Sequence, residues 1–219
     1  MDNLIMEFND VEKTYRDAQN EINVLNSFDL KIKKNSITLI TGPTGSGKTT
    51  IFNLASLLDV PDSGEIFFTG KKVSSMSKTE RSKIRQTEIG TILQWGNLLP
   101  YLTILENLML PMHDKNEKFA LELMGLLDIG EIKNELPENI SLFHQQIVAL
   151  ARALINKPQI ILADEPSGDL DKEKTTKLID FFCKIKIDAS VIIFSNDQDL
   201  DHFADHSFSI KNGKLKSNF

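Results

Sequence analysis

One segment, Gly42-Pro43-Thr44-Gly45-Ser46-Gly47-Lys48-Thr49-Thr50, limits what this chain can fold into more than any other. It follows the β-branched run Ser36-Ile37-Thr38-Leu39-Ile40 and leads into Ile51-Phe52-Asn53-Leu54-Ala55, which has helical spacing. A glycine-rich loop between a strand and a helix is a phosphate-binding device. The glycines let the backbone curl until several N–H groups face the same oxygens, and the helix end adds positive potential. Lys48 is placed to reach β and γ phosphates, and the Thr49 hydroxyl can ligate Mg²⁺. A nucleoside triphosphate is therefore the expected ligand, held by Gly42 through Thr50.

Such a loop demands an α/β fold, and the rest of the chain agrees. Short β-branched runs alternate with helix-period segments, as in a mainly parallel sheet covered by helices. Ser36 to Ile40, Gly64 to Phe68, Ile89 to Leu93, Gln159 to Leu162 and Ser190 to Phe194 read as its strands. Leu4 to Phe8 and Val24 to Ile32 flank the polar stretch Arg16-Asp17-Ala18-Gln19-Asn20, which predicts an antiparallel β flap. Asn212-Gly213 predicts a terminal hairpin. From Gln94 to Lys157 the β character disappears, and Leu102 to Leu110, Glu117 to Leu127 and Gln145 to Ile155 have helical spacing. The expectation is a phosphate-loop, RecA-like domain over 1–219. Its core lobe covers about 1–94 and 157–219, and an inserted helical subdomain covers about 95–156.

Charge and cysteine content narrow the setting. Lys and Arg number 25 against 31 Asp and Glu, a net charge of −6, so the bulk charge favours no nucleic-acid partner. A single cysteine, Cys183, can form no internal disulfide, which suits a reducing cytoplasmic compartment. No apolar run approaches the roughly 20 residues of a membrane span, and the acidic start Met1-Asp2-Asn3-Leu4-Ile5-Met6-Glu7 is unlike a signal peptide.

A second chemical element stands at Ile160-Ile161-Leu162-Ala163-Asp164-Glu165-Pro166, an apolar strand ending in two carboxylates. Open α/β sheets bind ligands at that edge. Asp164 is expected to hold Mg²⁺ through water, and Glu165 to act as general base on the attacking water.

With these residues in view, the chain resembles ATP-binding-cassette ATPases along essentially its whole length. It is most similar to the branch serving lipoprotein release, macrolide export and cell division. Tyr15, Gln94, the stretch Asn97-Leu98-Leu99-Pro100-Tyr101-Leu102-Thr103-Ile104-Leu105-Glu106-Asn107, and Gly168-Asp169-Leu170-Asp171 add to the likeness. The resemblance implies that Tyr15 stacks on adenine, that Gln94 senses Mg²⁺ and links to a membrane partner, and that Asp171 acts across a dimer interface. It also implies two cassettes closing head to tail on two ATP molecules, a permease-type transmembrane subunit as partner, and a cytoplasmic chain held peripherally on the cytoplasmic face of the inner membrane. The apolar run Leu98 to Leu102 is the expected docking lip.

Two positions depart from the pattern. The family signature reads Leu-Ser-Gly-Gly-Gln or Glu, followed by Gln-Gln-Arg-Val, where this chain has Ile140-Ser141-Leu142-Phe143-His144-Gln145-Gln146-Ile147-Val148. Ser141 survives, whereas Leu142 and Phe143 are expected to obstruct the approach of backbone donors to a γ-phosphate. The switch histidine is replaced by Asn196, which cannot carry positive charge. The chain's own ATP-binding half is thus kept and the half offered to a partner weakened, which suits a heterodimer better than a homodimer.

The leading expectation is the nucleotide-binding subunit of an export or lipid- and lipoprotein-handling complex, with weakened hydrolysis. A second is an ATP-gated switch acting on a membrane partner without transport. A soluble DNA-maintenance ATPase would need coiled-coil or zinc-bearing insertions, and the chain has neither heptad runs nor cysteine pairs.

Overall fold

Strand β3 (Ile37–Thr41), which feeds the glycine-rich loop, is buried along its whole length in the computed structural model, which describes residues 3–16, 21–94, 97–211 and 213–218. It lies inside a six-stranded sheet of order β10-β9-β3-β8-β7-β6, formed with β6 (Ile89–Ile92), β7 (Ile160–Asp164), β8 (Ser190–Ser195), β9 (His206–Lys211) and β10 (Lys214–Ser217). The pairs β3–β8, β3–β9, β7–β8 and β6–β7 are parallel, and β9–β10 closes the edge as an antiparallel hairpin. Gly213 turns that hairpin with φ of 69°; its expected partner Asn212 lies outside the described residues.

Period-two alternation divides the sheet's side chains between two cores. Ile37, Leu39, Ile161, Ala163, Val191 and Ile193 enter one, and Ile40, Ile160, Leu162, Ile192 and Phe194 enter the other. Both faces are covered, which is why these strands read as continuous apolar runs. On the first face lie α3 (Ile104–Met109), α4 (Glu117–Leu126), α5 (Leu142–Leu154) and α6 (Lys172–Ile185). On the second lie α1 (Lys48–Ala55) and a four-stranded antiparallel sheet of order β2 (Glu21–Lys33), β1 (Leu4–Arg16), β4 (Ser63–Phe68), β5 (Lys71–Lys72).

That second sheet enlarges the expected flap. β1 (Leu4–Arg16) and β2 (Glu21–Lys33) are long strands, and β4 (Ser63–Phe68) pairs antiparallel with β1 and with the short β5 (Lys71–Lys72). The Gly64 to Phe68 run therefore belongs to the antiparallel sheet and not to the parallel one. Its alternation suits either, and the partner strand, chosen by packing over α1, decides.

Between β6 and β7 the described residues contain α3, α4, α5 and two short 3₁₀ turns at Gly130–Ile132 and Pro137–Asn139, with no strand. Two helices lie outside the segments named from periodicity, α2 (Lys78–Thr87) and α6. α2 buries none of its residues and is started by a capping box in which Ser77 and Glu80 satisfy each other's backbone N–H.

Candidate nucleotide site

Four adjacent parallel strands deliver the chemistry to one sheet edge. The glycine-rich loop follows β3, Ser195 and Asn196 end or follow β8, Asp164 and Glu165 end or follow β7, and Gln94 follows β6. The Gly42 N–H donates to the Ser195 carbonyl at 3.3 Å, tying the loop to β8. Glycine is required at two loop positions for separate reasons. A Cβ on Gly42 would stand 2.6 Å from the Ile210 carbonyl oxygen, and Gly47, at the start of α1, has φ of 110°.

Lys48 is buried, and its Nζ donates to the Gly42 carbonyl at 2.5 Å while lying 3.4 Å from Glu165 Oε1. The other Glu165 oxygen accepts from Ser195 Oγ at 3.3 Å and from the Asn196 backbone N–H at 3.1 Å. Glu165 itself has φ of 47°, a left-handed conformation rare for a side chain of its size and typical of positions fixed for a chemical task. Asp164, next to it, is held above the usual carboxylate range by burial and by the charge of Glu165, against the opposing pull of Lys48.

These residues fit a magnesium nucleotide. The Ser46 hydroxyl is buried inside the loop without a hydrogen-bond partner, as a group awaiting an external oxygen would be. The Thr49 hydroxyl, Asp164 carboxylate and Gln94 amide each offer a hard oxygen at this sheet edge, the donor type that suits Mg²⁺ completed by phosphate oxygens. Among the described residues no cluster of three or more His, Cys, Asp or Glu could hold a metal by itself. A cation would also relieve the crowding of Asp164 against Glu165.

Gln94 stands beside this turn: a Cβ on Gly168 would lie 3.7 Å from Gln94 Nε2 and 3.5 Å from the Glu165 carbonyl oxygen. Gln146 of α5 donates to the Gln94 carbonyl at 2.6 Å, a contact the sequence reading misses because the two are distant in the chain. Trp95 and Gly96 lie outside the described residues. Beyond them, the buried Asn107 side chain braces the apolar loop, accepting from the Leu99 N–H and donating to the Leu99, Leu102 and Thr103 carbonyls. Leu98, Leu99 and Leu102 are consequently half-buried, and Tyr101, 74% exposed, is the apolar side chain that projects. Arg152 bonds the Asn97 carbonyl at 2.8 Å and joins this loop to a groove lined by Arg85, Leu110, Met112, His113 and Asn156.

The remaining candidates sit on other elements. Ser141 caps α5, its hydroxyl accepting from the His144 N–H and lying 3.1 Å from His144 Nδ1. Asp171 caps α6 and pairs with Lys174 at 2.7 Å. No hydrogen bond among the described residues joins Ser141 or Asp171 to the glycine-rich loop. Leu142 is 57% exposed at the start of α5, whereas Phe143 is half-buried against the core, so any obstruction at the helix end falls to Leu142. Tyr15, near the end of β1, donates its hydroxyl to Asp59 Oδ2 at 3.2 Å.

The fold and the loop together define a phosphate-loop nucleotide-binding domain. Residues 25–168 match the family described as ABC transporter. The chain is 35% identical to the lipoprotein-releasing system ATP-binding protein LolD of Buchnera aphidicola subsp. Schizaphis graminum, over 99% of this chain and 98% of that protein. It is 34% identical to LolD of Rickettsia bellii, over 98% and 99%. The ATP-binding cassette MJ0796 of Methanocaldococcus jannaschii, solved as a dimer in a post-hydrolysis state with ADP and Pi, superposes with a TM-score of 0.88 at 32% identity, covering 97% of this chain and 98% of that one. This chain belongs to the ABC transporter family. It matches the ATP-binding subunits of that family, and no helix among its described residues is long and apolar enough to cross a membrane.

Proposed function

We propose that the chain binds Mg·ATP through Gly42 to Thr50 and couples closure on a second ATPase subunit to a permease-type membrane partner, in lipoprotein or lipid handling or export. The convergence of Lys48, Glu165, Ser195 and the Asn196 backbone at one sheet edge carries this reading. Lys48 and the loop N–H groups would hold the phosphates. Thr49, Gln94 and Asp164 would hold Mg²⁺, which supplies charge neutralisation on the β and γ oxygens. Glu165 would take a proton from the attacking water, with Ser195 and the Asn196 N–H fixing its orientation. The lipoprotein assignment rests on likeness to relatives named for that process.

The partner subunit is expected on the groove between Arg85, Leu110 and Arg152 and on the loop that Arg152 ties to it, from which Tyr101 projects. Leu99 and Leu102 are braced by Asn107, so charge there would disturb the loop itself, and Tyr101 and Leu110 are the better probes. Replacing both with Asp should release the chain from membranes while ATP affinity stays within about twofold, because the new charges are desolvated only on docking. Retention of the double variant on membranes would move the docking surface elsewhere.

A second reading, an ATP-gated switch without transport, draws support from Leu142 and Asn196. Both would weaken turnover more than binding, and a switch needs closure more than turnover. Direct measurement of substrate extraction by the assembled complex separates the two.

A further inference from the structure

Lys13 is a charged residue on the inward face of β1, only 7% exposed, and nothing in the phosphate chemistry uses it. Burying an ammonium is costly unless it is paired and hydrogen-bonded. Its Nζ lies 3.1 Å from Asp59 Oδ1, 3.0 Å from Asp59 Oδ2 and 3.6 Å from Asp62 Oδ1, and it donates to the Val60 carbonyl at 2.9 Å. The same ammonium sits over the Tyr15 ring, 5.3 Å from its centroid. Asp59 therefore holds both the ring's hydroxyl and the cation beneath the ring.

Asp59 is itself anchored where the phosphate loop's helix ends. Its N–H donates to the Asn53 carbonyl at 3.1 Å in the last turn of α1, and its own carbonyl accepts from Arg81 of α2 at 3.2 Å. Burial would raise the Asp59 carboxyl, but the Val60 N–H, Lys13 and the Tyr15 hydroxyl outweigh it and keep it below the ordinary value of 3.8. One end of α1 thus carries Lys48 and the other fixes Asp59, with about 12 Å of helix between them.

We propose that Asp59 and Lys13 are positioning residues for the nucleoside: they lock the Tyr15 ring so that its one free face meets a purine base at a set distance from the phosphate loop. This rests on the reading of Tyr15 as the adenine platform. A ring 39% exposed on a strand end would otherwise turn about two torsions, and ordering it on binding would weaken the complex. The ammonium closes one face to ligands. It also draws ring electron density toward itself, which makes the other face a better partner for an electron-rich purine.

The test is titration of the full chain with ATP and, separately, with inorganic tripolyphosphate, which has no base to stack. Tyr15→Leu should weaken ATP about tenfold or more. Tyr15→Phe, which keeps the ring and loses the hydroxyl, should weaken it about three- to tenfold, and Asp59→Asn by a similar factor. The Tyr15→Phe/Asp59→Asn double variant should lose less than the product of the two singles, since both act on the Tyr15 hydroxyl–Asp59 bond while Asp59→Asn also weakens the Lys13 pair. Tripolyphosphate affinity should not change in any of them. Unchanged ATP affinity in Tyr15→Leu would overturn the platform reading, and the proposal with it. A weakened Tyr15→Leu beside an unaffected Tyr15→Phe would leave the platform standing and overturn the lock. Equal loss for ATP and tripolyphosphate in Asp59→Asn would mean that Asp59 acts through the loop fold, which also overturns it. Should Asp59→Asn fail to fold, the Tyr15→Phe comparison decides alone.

Discussion

Lys48 Nζ and Glu165 Oε1 stand 3.4 Å apart in a largely buried setting, so the lysine of the phosphate loop and the carboxylate after β7 neutralise each other. On the proposed reading an incoming triphosphate would compete for that lysine and leave Glu165 supported by Ser195 Oγ and the Asn196 N–H. Lys48→Ala removes the phosphate's cation and should weaken ATP by at least about 100-fold, or roughly 3 kcal/mol. Calorimetric titration checks this; retained affinity would remove the loop from the binding site.

Replacement of Glu165 by Gln has two opposite effects. The proposed general base is lost, and single-turnover hydrolysis should fall by about 10²–10⁴. The competition for Lys48 is lost as well, so ATP affinity should hold or rise. A parallel fall in affinity would show that Glu165 acts mainly in shaping the site.

Leu142, exposed at the start of α5, and Asn196 are expected to limit turnover, and Phe143 stands at the second signature-glycine position. Neither Leu142 nor Phe143 has a positive φ, so glycine at these positions restores access rather than backbone shape, at about 0.5–1 kcal/mol of helix stability each. Leu142→Gly and Phe143→Gly with Asn196→His should raise the ATPase rate at least about tenfold, and Glu165→Gln should abolish the gain. A parent homodimer already turning over at about 1 s⁻¹ would show that these departures are not disabling.

Asp205 gives a pH dependence to the strand that feeds the loop. Its carboxylate accepts from the Ile37 N–H at 2.8 Å and from Lys186 at 2.8 Å. Burial would raise its proton affinity, but Lys186, the Ile37 amide and His206 outweigh it and hold it below 3.8. A depressed carboxylate stabilises the fold above the unfolded value, and that stabilisation is lost as pH falls from about 5 through the folded value. Asp205→Asn should therefore cost about 1 kcal/mol at pH 7, discounted for partial exposure, and less near pH 3. Melting curves across that range should converge; a constant gap would assign the loss to packing.

The parts of the site that were legible in the sequence are those whose chemistry is local. Gly42 to Thr50 encode a loop within one strand-loop-helix unit, and Asp164 and Glu165 end an unmistakable buried strand. Pairings across long stretches of chain were not legible, as with Lys13 and Asp59 or Gln94 and Gln146. Lys13 did leave a trace, a charge at an inward position in an alternating strand. Gly64 to Phe68 was legible as a strand but not in its partner. α2 has no apolar stripe to announce it, and the Ser77-x-x-Glu80 cap was its one signal.

α5 begins at the Ser141 cap, touches Gln94 through Gln146 and reaches the groove through Arg152. Thirteen residues make a rod of about 20 Å, too short and too well packed to bend along the way. A tilt of about 10° around its middle would carry its two ends about 2 Å in opposite directions. Acting as a rigid lever held near the carbonyl of Gln94, the helix would turn pressure on its Ser141 end into displacement at Arg152, and a load on the groove into movement at Ser141.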